Sequence, residues 1–215
     1  MPVITIRGQL GSGALEIGRR LAHRIGGDYV DREIIEGVAE RAGAPREEVQ
    51  GKEQPPTTLA GRILEALAKG AAASPRSGDV WVPTWEAPLD DRRYLAALTE
   101  VIADLAKSPS IVIRGRGSQF ILKDHPGAIH ILVVGPLKNR LKRVMEFNQI
   151  DEASAVKEIS RSDGSHREFI KRYFSADIED PVNYDLVLNT GRLSYDDCVD
   201  IVLEAVERVK RSGKN

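Results

Sequence analysis

The residues best suited to chemistry form a glycine-rich segment near the start of the chain, Gly8-Gln9-Leu10-Gly11-Ser12-Gly13-Ala14-Leu15. Four residues separate Gly8 from Gly13, which is the spacing of a phosphate-binding loop (P-loop) between a strand and a helix. Backbone N–H groups at a helix N-terminus bind anions whatever the side chains are, and glycines let the chain curl closely around a phosphate. We therefore predict a phosphate cradle, formed by Gly8, Gly11, Ser12, Gly13 and Ala14.

Two side chains that usually complete such a loop are missing. The pattern continues with Lys and then with Ser or Thr, but Ala14 and Leu15 stand at these positions. The segment keeps its backbone amides and lacks the side chains that contact the β- and γ-phosphates and magnesium. The positive charge for phosphate chemistry must therefore come from other parts of the chain.

Two other interpretations of this segment stay open. The first is a glycine-rich turn that binds no ligand. The second is a dinucleotide-binding turn, because Gly11-x-Gly13 is followed by Asp31 about 20 residues further on. That turn needs a third small residue where Glu16 stands, and a glutamate there would crowd the contact between helix and strand. We favour the phosphate loop, because three glycines follow directly after an apolar N-terminal run.

A parallel sheet must position this loop. Short apolar runs without strict polar alternation are typical of buried parallel strands, and helical patterns separate the runs found here. The runs are Val3–Ile6, Asp28–Val30, Ser110–Ile113, Ala128–Val134 and Asp185–Leu188. We predict an α/β fold, in which a five-stranded parallel sheet carries helices on both faces. The last helix is predicted to begin at Ser194, with Asp197 completing a capping box.

Length and composition exclude several classes of protein. A chain of 215 residues fits one domain, and its formal net charge of −1 gives no general attraction to nucleic acid or anionic lipid. Cys198 is the single cysteine, and the histidines show no HxH or HxxxH spacing, so we predict neither a disulfide nor a metal site. No run approaches the roughly 20 apolar residues that span a bilayer. We expect a cytoplasmic protein.

An irregular, proline-rich stretch, Ala42–Asp91, interrupts the alternation of strands and helices. We interpret it as an insertion between the second and third strands, with a helix over Leu59–Lys69. Trp81 and Trp85 lie close together within it. Long insertions of this kind are usually functional or disordered, and we predict that the paired tryptophans pack against the body or cover a ligand.

Four segments resemble, in the same order, those of the cytidylate-kinase-like proteins, a branch of the nucleoside monophosphate kinases. They are Gly11–Gly18, Tyr29–Ile35, Ile113–Gly117 and Asp180–Thr190. The resemblance covers most of the chain and is weakest across 42–91. It implies a three-layer P-loop NTPase fold, with 1–215 as a single kinase-like domain. It also implies ATP and Mg²⁺ as cofactors and cytidylate as the phosphoryl acceptor. Members of this branch often lack the P-loop lysine, so Ala14 is compatible with the family.

The resemblance assigns roles to several charged residues. Arg116 matches the arginine that grips the acceptor monophosphate, and its planar fork suits a bidentate contact. The segment 161–172 matches a lid whose arginines close over the phosphates, with Arg161 and Arg167 supplying charge and Asp163 contacting substrate. The alternative for this segment is the solvated face of a helix.

Asp31 and Arg32 follow the second predicted strand, where the family holds the acceptor nucleotide. Asp31 would accept a hydrogen bond from the ribose or base, and Arg32 would contact a phosphate. An equally good interpretation makes Asp31 the N-cap of a helix over Glu33–Arg41.

Three functions compete at this point. The leading one is phosphoryl transfer from ATP to a nucleoside monophosphate. The second is a nucleotide-binding protein with a degenerate loop and little or no kinase activity, which acts as a sensor or a partner-binding module. The third is a kinase for another small phosphate acceptor. A small-molecule nucleotide is the expected partner, and a homo-oligomer is compatible with all three.

Overall fold

The computed structural model describes residues 2–53 and 89–212. One five-stranded sheet lies at its centre, in the order β2-β3-β1-β4-β5, and every pair of neighbouring strands is parallel. The strands are β1 (Val3–Gly8), β2 (Asp28–Val30), β3 (Ile111–Arg114), β4 (Ala128–Val134) and β5 (Leu186–Asn189). The predicted sheet is confirmed: β2 and β4 have the predicted bounds, and the ends of the other three strands differ by at most two residues.

Helices connect the strands. Within the described residues they are α1 (Ala14–Ile25), α2 (Glu33–Ala42), α3 (Arg46–Glu53), α4 (Asp91–Leu105), α5 (Ser118–Ile121), α6 (Leu137–Asn148), α7 (Glu152–Phe174) and α8 (Tyr195–Ser212), with a 3₁₀ turn at Pro181–Asn183. No helix in this part of the chain is both long and apolar enough to cross a membrane. The predicted helix Leu59–Lys69 and the two tryptophans, Trp81 and Trp85, lie outside the described residues.

The two faces of the sheet carry separate cores, because side chains alternate along each strand. Ile4 and Ile6 of β1 pack with residues of α1 and α8 on one face. Val3 points to the other face and packs in a cluster built from α2, α4 and α7. Helices therefore cover both faces, and the predicted three-layer α/β architecture is confirmed.

The longest helix, α7, extends through the segment that resembles a lid. Its N-cap is Asp151, whose carboxylate accepts a hydrogen bond from the Ser154 amide at 2.7 Å. The segment 161–172 is helical throughout, and the helix continues to Phe174. Ile159, Asp163 and Ile170 are buried along α7, and this packing supports the helix across Asp163 and the following glycine.

The final helix begins as the sequence predicts. The Ser194 hydroxyl donates to Asp197 Oδ2 at 2.7 Å, and Asp197 Oδ2 accepts from the Ser194 amide at 2.9 Å. The Asp197 amide in turn donates to Ser194 Oγ at 3.1 Å. This is the reciprocal pairing of a capping box.

Candidate functional site

The carboxyl ends of β1 and β3 lie side by side, since Ile6 pairs with Arg114. The connection after β1 leads to α1 on one face, whereas the connection after β3 leads to α5, which packs on the other face. Such a divergence opens a crevice beyond the strand ends, where α/β proteins bind ligands. A cavity of about 410 Å³ lies there. It is lined by five arginines (Arg7, Arg32, Arg114, Arg116, Arg161) and three carboxylates (Asp31, Glu53, Glu158).

The glycine-rich loop has a backbone that only glycine accommodates. Gly11 and Gly13 have φ angles of 80° and 93°, in the left-handed region. A Cβ on Gly11 would lie 2.7 Å from the carbonyl oxygen of Arg140. A Cβ on Gly13 would lie 2.4 Å from the ring of Tyr195. The two glycines are therefore required by close approach as well as by backbone conformation.

Three side chains hold the carbonyl groups of this loop. Arg140 Nε donates to the Leu10 carbonyl at 2.8 Å, and Arg143 Nη1 donates to the Gly11 carbonyl at 3.2 Å. The Thr190 hydroxyl donates to the Ser12 carbonyl at 2.7 Å.

These contacts orient the loop amides. In a planar trans peptide the C=O and the following N–H point in opposite directions. The Gly11 and Gly13 amides therefore face away from Arg140 and Thr190. Neither amide has an acceptor among the residues that the structure describes. Both are available to an anion at the N-terminus of α1, where the helix dipole favours negative charge.

The buried carboxylate of Asp163 stabilises this loop through both of its oxygens. Its Oδ1 accepts a hydrogen bond from the Leu10 amide at 3.1 Å, and its Oδ2 forms an ion pair with Arg140. Both side chains are buried, and neither lines the cavity. The sequence predicts Asp163 as a substrate-binding residue, whereas the structure gives its carboxylate to the loop and to α6.

Arg116 lies in a turn of left-handed backbone. Gly115, Arg116 and Gly117 have φ angles of 75°, 51° and 70°. This conformation costs a non-glycine residue about 1–2 kcal/mol, so the surrounding contacts must stabilise it. The turn directs the Arg116 side chain toward the start of α2 and the end of α3.

Two carboxylates hold the Arg116 guanidinium. Nη1 donates to Asp31 Oδ1 at 2.7 Å, while Nε and Nη2 donate to the two oxygens of Glu53 at 3.0 and 3.2 Å. Arg114 pairs with the other oxygen of Asp31. Burial acts to lower the pKa of Arg116, but the charges and hydrogen bonds of Glu53 and Asp31 outweigh it and raise that pKa.

The capping role considered for Asp31 is wrong. Its carboxylate is bound by Arg114 and Arg116, and no side chain caps α2. Instead, the Asp31 amide donates to the carboxylate of Glu33 at 3.0 Å. Asp31 therefore orients two arginines of the cavity.

The other predicted site arginines occupy different positions. Arg161 and Arg32 both border the cavity and are exposed. Arg167 is not among the residues that line the cavity, and its guanidinium lies 3.6 Å from Glu179. The structure thus brings together Arg32, Arg116 and Arg161, and leaves Arg167 on the outer side of α7.

Sequence reasoning missed Arg7 and Arg114 in the cavity and Arg140 beneath the loop. Arg7 and Arg114 each come directly after a buried apolar run, at the carboxyl end of a strand. A cation at that position in a parallel sheet is a usable signal, because ligands bind beyond the same strand ends.

The residues present fit a nucleotide phosphate better than a protein-bound metal. The free amides of the loop suit a phosphate. The described residues hold no group of His, Cys, Asp or Glu side chains that could hold a metal ion. Glu16, beside the loop, pairs with Arg20 at 2.9 Å. Any Mg²⁺ would therefore be held mainly by phosphates, as is usual for this ion in nucleotide sites.

The amino-acid sequence is similar to those of known proteins. Residues 3–192 match the model of the cytidylate kinase-like family. A cytidylate kinase from Thermococcus kodakarensis is 26% identical, over 98% of this chain and 91% of that protein. A uronate isomerase from Corynebacterium glutamicum is 33% identical over 103 residues, and the match covers 48% of this chain and 20% of that protein. The chain thus spans only a fifth of the length of this second relative.

A solved structure has the same fold. An uncharacterized protein from Eubacterium ventriosum superposes with a TM-score of 0.66 at 20% sequence identity. The superposition covers 96% of this chain and 99% of the other.

Proposed function

Because the chain belongs to the cytidylate kinase-like family, we propose that it transfers the γ-phosphate of ATP to a nucleoside monophosphate, with cytidylate as the leading acceptor. One observation carries this proposal. Gly8 and Leu10 of the loop border the same cavity as Arg116 and Arg161. A donor phosphate on the loop would therefore lie beside an acceptor phosphate held by arginines.

The loop would bind the donor through its backbone. The amides of Gly11 and Gly13 would donate to a phosphate, and Ser12 and Ala14 complete the turn into α1, with Gly8 at its start. Magnesium, carried by the phosphates, would neutralise part of the charge that develops during transfer.

The arginines would bind the acceptor and the transferring group. Arg116 has the planar fork for a bidentate phosphate contact, and Asp31 keeps it oriented. Arg32 borders the cavity from the start of α2 and would contact the same phosphate. Arg161 would supply charge to the transition state from α7. We assign Arg167 to the same role, provided that its contact with Glu179 breaks on closure of the segment 161–172.

This arrangement needs no general base. A phosphate monoester has its second pKa near 6, so the attacking oxygen is already ionised at neutral pH. Phosphoryl transfer then depends on positioning and on positive charge around the transferring group. Both are supplied by the loop amides and the arginines of the cavity.

Two observations favour a second function. Glu53 and Asp31 already bind Arg116, and Ala14 and Leu15 replace the lysine and the hydroxyl residue of the loop. A protein that binds nucleotide with little or no turnover would share these features.

A coupled spectrophotometric assay separates the two functions. Purified protein would be incubated with ATP, Mg²⁺ and CMP, UMP, AMP or GMP in turn. Turnover above background with one monophosphate supports the kinase. Background rates with all four, together with measurable nucleotide binding by calorimetry, support the binding protein.

A further inference from the structure

Arg7 is a buried cation that has no ion-pair or hydrogen-bond partner among the residues that the structure describes. It is the last residue but one of β1, and only 5% of its surface is exposed. None of its three guanidinium nitrogens has a hydrogen-bond partner among the residues that the structure describes. Buried charged groups are normally paired, because an unpaired charge loses its hydration without compensation. Arg7 remains protonated in any case, since a guanidinium does not deprotonate in proteins.

The groups that favour the charge of Arg7 electrostatically are committed to other partners. Its charge interacts with Tyr184, Asp163 and Glu179. The Tyr184 hydroxyl donates to the Ile178 carbonyl at 2.6 Å, and desolvation raises the pKa of Tyr184 to about 12, so it carries no charge at neutral pH. Asp163 pairs with Arg140. Glu179 accepts from Gln9 and lies beside Arg167.

Arg7 therefore differs from the arginines next to it. Arg114 and Arg116 line the same cavity, but Asp31 and Glu53 neutralise them. Arg7 lines the cavity with its donors unused. It also directly precedes Gly8, the first residue of the loop, and its strand pairs with β3, which ends at Arg114.

We propose that Arg7 binds a phosphate group of the ligand in this cavity, and so supplies the side-chain charge that the loop lacks at Ala14. This inference rests on the proposed function for the identity of the ligand, a nucleotide. The phosphate group could belong to the donor or to the acceptor, and separate titrations with ATP, CMP and inorganic phosphate distinguish these sources.

The test uses three variants of the full chain. Arg7→Met keeps an unbranched apolar stem and removes the charge. Arg7→Lys keeps the charge and loses the fork. Arg24→Met is the control, because Arg24 is exposed and pairs with Asp200 at 3.2 Å, away from the cavity. Calorimetric titration with each ligand and thermal unfolding without ligand are measured for all of them.

The proposal predicts opposite effects on binding and stability. Arg7→Met should weaken binding of at least one of the three ligands about tenfold or more, since hydrogen bonds to charged groups are among the strongest. Without ligand its Tm should rise by about 2–4 °C, because an uncompensated buried charge is gone. Arg7→Lys should keep part of the affinity, and Arg24→Met should bind as the wild type does.

Two results would overturn the inference. One is that Arg7→Met binds ATP, CMP and phosphate as tightly as the wild type does. A wild type that binds none of the three ligands counts as this same result. The other is a loss of affinity with a lower Tm, which would make Arg7 a structural residue. The inference can survive a wild type that binds through Arg7 and shows no turnover, in which case only the proposed function fails. If the wild type shows turnover and Arg7→Met binds every ligand equally well, the proposed function stands and only the inference about Arg7 fails.

Discussion

Glu53 binds Arg116 through both carboxylate oxygens, at 3.0 and 3.2 Å from Nε and Nη2. A carboxylate from the end of α3 thus occupies donors of the guanidinium that we assign to the acceptor phosphate. The adjacent Lys52 is tied to Asp91 at 3.0 Å, so the end of α3 is fixed to two elements. An acceptor phosphate must compete with Glu53 for Arg116.

Glu53→Gln should therefore tighten binding of the acceptor. The amide keeps the size of the side chain and removes the negative charge that repels a phosphate at close range. We expect the Kd of CMP to fall by about twofold to fivefold, a range typical of a partly screened charge. Calorimetry measures it, with Glu47→Gln as the control on the exposed side of the same helix. Weaker binding of CMP would show that Glu53 contacts the ligand favourably.

Arg116→Ala should abolish most turnover with a modest effect on ATP binding. A positioned charge at the transferring group is worth about 10²–10³ in rate. Steady-state kinetics and ATP titration check the two parts, and Arg208→Ala on α8 controls for loss of a surface arginine. Full activity in Arg116→Ala would remove this residue from the acceptor site.

Asp163→Asn should destabilise the protein. The change leaves Arg140 charged and buried without its partner, which costs about 3–5 kcal/mol in comparable pairs. Urea unfolding measures the loss. Asp200→Asn, in an exposed pair, should stay within about 0.5 kcal/mol of the wild type. If Asp163→Asn leaves the free energy of unfolding unchanged, the ion pair between Asp163 and Arg140 does not stabilise the loop.

Two glycine substitutions separate backbone strain from steric overlap. Gly13→Ala and Gly26→Ala both place a Cβ at positive φ, which costs about 1–2 kcal/mol. Gly26 has open space around it, whereas a Cβ on Gly13 meets the Tyr195 ring, which Arg20 and Arg143 flank. Gly13→Ala should lose about 1–3 kcal/mol more, and should also bind ATP more weakly. Equal losses of unfolding free energy would contradict the close packing of Tyr195 on the loop.

The Asp91 carboxylate should make the free energy of unfolding depend on pH in the acid range. Partial burial acts to raise its pKa, but the pairs with Lys52 and Arg172 outweigh burial and lower the pKa below 3.8. A carboxyl whose pKa is lower in the folded than in the unfolded protein stabilises the fold at pH values above its unfolded-state pKa. This stabilisation is lost as the pH falls through its folded-state pKa. The stability difference between wild type and Asp91→Asn should be constant above about pH 5. It should shrink below that pH, as chemical unfolding at a series of pH values can show. A difference that grows as pH falls would contradict the assignment.

Local patterns predicted the sheet and the cap at Ser194, because apolar runs and a Ser-x-x-Asp pair act within a few residues. The resemblance assigned Arg116 to the ligand site, and Arg116 borders the cavity. The partners of Arg116 could not be predicted, because Asp31 and Glu53 lie 85 and 63 residues away in the sequence.

The same limit explains the assignment of Asp163. The resemblance to a family lid suggested a ligand contact, and only the packing of α7 against α6 and the loop shows that Arg140 and the Leu10 amide use both of its oxygens. Arg7 carried a local signal, a cation at the end of a buried strand, but its lack of an ion-pair partner among the described residues depends on the positions of α7 and the 3₁₀ turn.

The central claim is transfer of the γ-phosphate to an acceptor in the arginine-lined cavity. The most direct measurement follows the label from [γ-³²P]ATP into the products formed with CMP and Mg²⁺, for the wild type and for Arg116→Ala. We predict labelled CDP with the wild type and a loss of about 10²–10³ in its rate of formation with the variant. Label that remains in ATP or appears only as inorganic phosphate, while the wild type still binds both nucleotides, would contradict the account.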